Sequence, residues 1–172
     1  FGPCYRLPEG GTNALALPGC RAYPGEITTQ LGGDPLDYVI AACGTGGTLA
    51  GIIQALPDHT QAIGLSVLKG NFLQKEITML LDNPAARNWT VLNNYHFGGY
   101  ARFRPPLIDF INRFRTETGI PLDPIYTGKL FYGVFDLLEK DYFPPGSTVA
   151  VIHSGGLQGV AGFNERFGKV IG

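Results

Sequence analysis

The sequence predicts an α/β fold, a twisted and mostly parallel sheet flanked by helices. Three observations predict it. Short apolar runs with β-branched residues alternate along the chain with stretches of helical spacing. The first strong run, Tyr38-Val39-Ile40-Ala41-Ala42-Cys43, passes directly into a glycine-rich turn and then a helix. Gly44–Thr48, Tyr126-Thr127 and Ser154-Gly155-Gly156 each follow a strand or extended piece. In a parallel sheet, ligands lie at the carboxyl ends of the strands, so these three places are set to converge on one site.

The elements follow in order. Residues 5–8 read as a short extended piece, and Glu9-Gly10-Gly11-Thr12-Asn13 as a turn with polar side chains able to face a ligand. A helical segment extends to about Leu31. Pro18 and Pro24 interrupt it, leaving a broken start and a regular turn or two after Pro24. The central strand begins near Asp37, and the helix after its glycine turn spans residues 48–56. Residues 61–68 form a second strand. Residues 71–81 form an amphipathic helix with Phe72, Ile77, Leu80 and Leu81 turned to the core. Residues 89–92 are a third strand, and residues 93–104 a loop. Pro105-Pro106 opens a helix with Leu107, Ile108, Ile111 and Phe114 at helical spacing, ended by Gly119-Ile120-Pro121. Thr127 reads as the N-cap of a helix to about Lys140, with Leu130, Val134, Leu137 and Leu138 as its inner stripe. Residues 147–153 are the last strand, and a short helix begins near Leu157.

Composition narrows the function. The 172 residues are 44% hydrophobic, enough for a full core. Only 16% are charged, against about 25% in ordinary soluble domains, which points to surface covered by something else. A net charge of −1 disfavours nucleic acid and anionic membrane as partners. No apolar run reaches the ~18 residues of a membrane span. Cys4, Cys20 and Cys43 are odd in number and lack metal-ligand spacing, which reads as reduced thiols in a cytoplasmic protein. No signal peptide is read at the start. Phe1-Gly2-Pro3-Cys4 lacks an initiator Met, and the expectation is a chain that begins inside a longer protein.

The chemistry centres on Gly44, Thr45, Gly46, Gly47 and Thr48. A glycine turn between a strand and a helix offers inward N–H groups and the positive end of the helix, a site for a phosphate group. Glycines let a ligand approach the backbone, and the two threonines add hydroxyls. Such turns also occur where a strand simply packs on a helix. Two familiar phosphate motifs fail. A dinucleotide fingerprint from Gly44 needs a glycine at Leu49 and an acid where Lys69 stands. Gly128-Lys129 is followed by Leu130, not Ser or Thr. His153-Ser154 suggests a hydrolase, but Ile152 occupies the place of the first glycine of a nucleophile elbow. Tyr100 and Tyr126 are candidate site residues, with packing as the plain reading of each. His59 and His96 read as surface residues. Lys129, in the first turn of a helix, reads as an ion-pair partner.

Four blocks then occur in order: Glu9-Gly10-Gly11-Thr12-Asn13, Gly44-Thr45-Gly46-Gly47-Thr48-Leu49-Ala50-Gly51, Leu122-Asp123-Pro124-Ile125-Tyr126-Thr127-Gly128-Lys129 and His153-Ser154-Gly155-Gly156. Together they resemble the 1-aminocyclopropane-1-carboxylate deaminase and D-cysteine desulfhydrase family. That family has the tryptophan-synthase-β-like fold (fold type II) of pyridoxal-phosphate enzymes, and the match covers essentially the whole chain. The resemblance implies that residues 44–48 hold the phosphate of pyridoxal 5′-phosphate. It implies that Thr127 lies near the pyridine nitrogen, where the deaminases proper carry glutamate. Ser154 would lie near the ring, where threonine is more usual, and Tyr100 and Tyr126 match active-site tyrosines. A hydroxyl in place of the glutamate makes the chain look more like the desulfhydrase branch, because it stabilises a protonated pyridine less and suits β-elimination.

One departure dominates the resemblance. The Schiff-base lysine, nucleophilic serine and neighbouring asparagine of the family lie upstream of every block seen here. None of Lys69, Lys75, Lys129, Lys140 or Lys169 sits in a matching motif. The resemblance therefore implies that residues 1–172 are the C-terminal part of a longer enzyme's large cofactor-binding domain, inactive alone. Its partners would be a small amino-acid substrate, the missing N-terminal portion and a second copy in a homodimer. Two other classes stand beside this one: a non-catalytic module that binds a phosphate ligand, and a structural subunit derived from the enzyme fold.

Overall fold

The computed structural model describes residues 2–172. The expectation attached to Phe1 lies outside them. A 3-10 turn at Glu9–Gly11 leads to α1 (Leu17–Cys20) and α2 (Ala22–Gln30), then β1 (Tyr38–Cys43), α3 (Gly47–Ala55) and β2 (Gln61–Ser66). α4 (Leu73–Leu80) and β3 (Trp89–Leu92) follow, then α5 (Pro105–Thr118), α6 (Thr127–Glu139), β4 (Val149–Val151) and α7 (Gly159–Phe167). The four strands form one sheet in the order β3-β2-β1-β4, and every pair is parallel. The predicted α/β class is the observed one.

Alternation along β1 sorts the core into two layers. Val39, Ala41 and Cys43 face one side of the sheet and pack with Leu17 of α1, Leu49 and Ile52 of α3, and Leu73 and Ile77 of α4. Ile40 faces the other side, with Ile63 and Leu65 of β2 and Leu130, Val134 and Leu137 of α6. A third cluster joins α5 to the C-terminal segment through Leu107, Ile111, Phe114, Phe163 and Ile171. α3 approaches α1 so closely that a methyl at Gly51 would lie 2.4 Å from Cys20 Cβ and 2.8 Å from the Leu17 carbonyl. Glycine is what lets those two helices meet.

The strand order fixes where a ligand can sit. From β1 the chain winds outward through β2 to β3, then returns to place β4 on the other side of β1. The direction of winding reverses at β1. At such a switch point the loops after neighbouring strands diverge and leave a crevice. The two loops are residues 44–46 and 152–158, the glycine turns picked out in the sequence.

Several details differ from the sequence reading. α4 starts at Leu73, so Leu73 takes the core position and Phe72 is exposed. Leu138 is also exposed, on the outer side of α6. β4 is only three residues long, because pairing with β1 stops at Ile40↔Val151. Pro24 sits within the first turn of α2, where a missing N–H costs nothing, and does not break the helix.

Candidate functional site

The turn after β1 has the geometry of an anion site. Gly46 caps α3 with φ 86°, a left-handed conformation that glycine adopts without strain. The first turn of an α-helix has N–H groups without intrahelical acceptors, and here they face the crevice. The glycines are also sterically required. A methyl at Gly46 would lie 2.6 Å from Ile77 Cγ1, and one at Gly47 would lie 2.7 Å from Thr12 Oγ1.

The 3-10 turn Glu9–Gly11 packs directly over this turn. A methyl at Gly10 would meet Thr45 Oγ1 at 2.6 Å, and the hydroxyls of Thr12 and Thr45 are 2.5 Å apart. Residues 154–156 close the third side. The resulting cavity of about 390 Å³ is lined by Gly44, Thr45, Gly46, Gly47 and Thr48, by Gly10, Gly11 and Thr12, and by Tyr126, Ser154, Gly155 and Gly156. A groove of about 460 Å³ lies at the opposite, amino-terminal end of the strands, lined by Asp58, Asp82, Arg87 and neighbours. It has no glycine turn and no free helix N-terminus, so the smaller cavity is the better anion site.

Tyr126 forms one wall, its ring against Gly44. A methyl there would touch Cε1 at 3.3 Å and the phenol oxygen at 3.4 Å. Burial first, then the neighbouring Tyr100, pushes the Tyr126 phenol above its ordinary value and keeps it protonated. Tyr100 is exposed and meets Tyr126 edge-on, with ring centroids 6.2 Å apart and planes at 70°. The structure thus brings Tyr100 beside the cavity through Tyr126.

Thr127 sits deeper than expected. It is fully buried and is the first residue of α6, not its cap. Its hydroxyl donates to Asp123 Oδ2 at 2.7 Å and accepts from the Asp123 amide at 2.9 Å. The capping group is Asp123, whose carboxylate also accepts from the amides of Ile125, Tyr126 and Thr127, each at 2.8 Å. Asp123 lies just under the cavity floor, since a methyl at Gly156 would be 3.1 Å from its Oδ2. Sequence reasoning passed over Asp123, although Asp-Pro at 123–124 is a turn-initiation signal. Cys20 and Gln158 also line the cavity and carried no sequence signal.

His153 agrees with the rejection of the hydrolase reading, while His96 and Lys129 differ from their sequence readings. Both ring nitrogens of His153 are taken up by backbone, Nε2 with the Pro121 carbonyl at 2.9 Å and Nδ1 accepting from the Gly155 amide at 3.2 Å. No base is left to activate Ser154. His96 is half-buried, and its Nδ1 accepts from the Gly98 amide; desolvation, then Lys129 nearby, lowers its basicity. Lys129 has no carboxylate partner among the described residues. It is fully buried and donates to backbone carbonyls. His59 is exposed, as read. Among the described residues no cluster of His, Cys, Asp or Glu fits a metal ion, and no helix is long and apolar enough to cross a membrane.

Comparison with known proteins bears on this geometry. Residues 2–155 match the family described as "Pyridoxal-phosphate dependent enzyme". A putative 1-aminocyclopropane-1-carboxylate deaminase of Pyrococcus horikoshii is 34% identical, over 94% of this chain and 52% of its own length. A bifunctional D-cysteine desulfhydrase/1-aminocyclopropane-1-carboxylate deaminase, mitochondrial, of Arabidopsis thaliana is 30% identical, over 98% of this chain and 45% of its own. The chain thus spans about half the length of the curated relatives it matches. A crystal structure of an ACC deaminase homologue superposes with a TM-score of 0.78 at 29% identity, over 96% of this chain and 53% of that one.

Proposed function

The chain belongs to the pyridoxal-phosphate dependent enzyme family, with a tryptophan-synthase-β-like fold, and on that premise we propose that it is the phosphate-holding part of a lyase or deaminase. The substrate class we infer is a small amino acid, of the D-cysteine or 1-aminocyclopropane-1-carboxylate type. One observation carries the reading: the glycine turn, the α3 N-terminus and Tyr126, with Tyr100 edge-on behind it, meet at one cavity at the switch point of the sheet.

The residues present fit the cofactor's phosphate. The side-chain-free turn at Gly44, Gly46 and Gly47, N–H groups at the helix start and the Thr45 and Thr48 hydroxyls suit a dianion held by neutral donors. When bound, the cofactor supplies an electron sink for bonds at the substrate's α-carbon. Tyr126, protonated and against the turn, donates a hydrogen bond or proton from its phenol oxygen. Tyr100 stands edge-on behind Tyr126. Ser154 offers a hydroxyl at the rim. Thr127 stands where the deaminases carry glutamate, and its hydroxyl, turned to Asp123, puts no carboxylate of its own toward the ring. This favours the desulfhydrase branch over ring-opening deamination.

We further infer that the cofactor-anchoring lysine lies outside residues 1–172. Lys69, Lys75, Lys140 and Lys169 are exposed, Lys129 is buried under carbonyls, and none of the five lines the cavity. That same observation favours a second reading, a phosphate-ligand module without chemistry of its own. A homodimer and a cytoplasmic location complete the proposal. The exposed Phe135 and Leu138 on α6 and three unpaired thiols support them.

The deciding experiment is borohydride reduction after incubation with pyridoxal phosphate, with peptide mapping. It is run on residues 1–172 and on the full-length polypeptide that contains them. The expected result is one stoichiometric modified lysine, outside residues 1–172, and turnover of D-cysteine by the longer protein only. Stoichiometric labelling of one lysine in residues 1–172 with turnover overturns the reading. Binding of phosphate esters by the longer protein, with no colour and no turnover, supports the second one.

A further inference from the structure

The role of Lys129 is left open by the cofactor site. Its side chain is fully buried, and its Nζ donates to the carbonyls of Gly99 at 2.7 Å and His96 at 2.9 Å, with the Val67 carbonyl at 3.5 Å. The ion pairs among the described residues are Arg21–Asp82 and Lys140–Asp136, so only carbonyl oxygens compensate this ammonium directly. Those oxygens come from the segment after β2 and from the loop that carries Tyr100.

That loop has an unusual backbone. Phe97 (φ 54°), Gly98 (φ 105°), Gly99 (φ 122°) and Ala101 (φ 51°) all have positive φ, and two of them are not glycine. Left-handed backbone at Phe and Ala persists only where surrounding contacts hold it. The loop's own bonds are few: the Gly98 amide donates to His96 Nδ1 at 2.8 Å, the Gly99 amide to the His96 carbonyl at 3.0 Å, and the Arg102 amide to the Gly99 carbonyl at 3.1 Å. The carbonyls that accept the last two are the two that accept from Lys129. Tyr100 lies between Gly99 and Ala101, edge-on to Tyr126.

We propose that the Lys129 ammonium is a positioning group: it locks the carbonyls of His96 and Gly99, holds the positive-φ turn at residues 97–101, and so sets the Tyr100 ring edge-on against Tyr126, the wall of the cavity. A side chain present only to fill space would be met as well by methionine or leucine, without a charge to bury. Burial lowers the Lys129 pKa to about 8, with Asp123 opposing, so the charged form with three N–H donors still predominates at neutral pH. The inference rests on the functional reading above for the purpose of Tyr100, but the locking of the loop is tested without cofactor.

Hydrogen exchange is measured on the full-length protein, wild type and Lys129→Met, free of cofactor. Amides of residues 97–102 are expected to exchange at least tenfold faster in the variant, with residues 38–43 unchanged. Lys129→Gln, which restores two N–H donors, recovers part of the protection. Loop exchange within twofold of wild type in both variants overturns the proposal. With cofactor, Lys129→Met is expected to raise the KM for the amino acid at least tenfold, with cofactor affinity within twofold. That rise shrinks below threefold in a Tyr100→Phe background, and an undiminished rise there also overturns the proposal. If the variants do not fold, reductive methylation of the wild type decides. Lys129 should react at least a hundredfold more slowly than Lys69, Lys75, Lys140 and Lys169, and reaction at their rate overturns the lock. Failure of the wild type to bind pyridoxal phosphate counts against the functional reading and leaves the exchange comparison standing.

Discussion

The hydroxyls of Thr12 and Thr45, 33 positions apart in the chain, lie 2.5 Å from each other and tie the first glycine turn onto the second. Thr12→Val keeps the shape and removes the bond. A single such bond is worth about 1 kcal/mol. The expected outcome is a stability loss of about that size, with cofactor affinity reduced roughly five- to tenfold because the turn loses its cover. Urea denaturation and a cofactor titration measure the two.

Gly46→Val tests the proposed phosphate cup. It sets a β-branched residue at φ 86° and drives a methyl toward Ile77. The left-handed backbone costs roughly 1–2 kcal/mol and overpacking about 1–3 kcal/mol. Pyridoxal phosphate affinity of the full-length enzyme should fall at least a hundredfold, by an absorbance titration. Unchanged affinity removes the assignment.

Asp123 is the most heavily used polar side chain under the site. It accepts from three amides and the Thr127 hydroxyl while only 2% exposed. Asp123→Ala leaves those donors without a partner in the interior. A loss of about 3 kcal/mol is expected. Asp123→Asn, with one acceptor oxygen remaining, should lose less. Equal stability of all three proteins in denaturant would show that the cap is dispensable.

Lys129 gives a pH dependence of definite sign. The unfolded side chain titrates at its ordinary 10.5, the folded one at about 8. Below pH 8 both states hold the proton. Between 8 and 10.5 only the unfolded state does, so unfolding takes up a proton and this contribution to stability rises with pH. The slope is at most about 1.4 kcal/mol per pH unit, for a total on the order of 3 kcal/mol. Groups such as Cys43, pushed up to about 12 by burial, work in the other direction. The measurement is therefore wild type minus Lys129→Met, by denaturation from pH 7.5 to 10.5. A flat difference would refute it.

The sheet was legible because its strands announce themselves locally. The first strand, Tyr38–Cys43, is legible to within a residue, since an apolar β-branched run ends at a glycine turn. The cavity's glycines were legible for the same reason. What stayed hidden depends on the third dimension. Whether Phe72 or Leu73 enters the core turns on where α4 starts. That Lys129 lacks an acid partner, and that Asp123 rather than Thr127 caps α6, follows from how residues 93–125 fold back on the sheet. No spacing along the chain encodes either contact.

The place of β4 has a consequence for synthesis. β1, β2 and β3 are joined by short crossovers and can pair as they leave the ribosome, from the N-terminal side onward. β4 must wait. Its entry is marked by Asp37 accepting from the Thr148 amide, a contact 111 residues long. Contacts of such separation are slow to form because the loop must close before they reward it. The glycine turn after β1 is therefore translated and shaped early, while the wall formed by Ser154 and Gly156 arrives last. A nascent chain stalled anywhere before residue 149 presents an open cup with one flank of β1 bare.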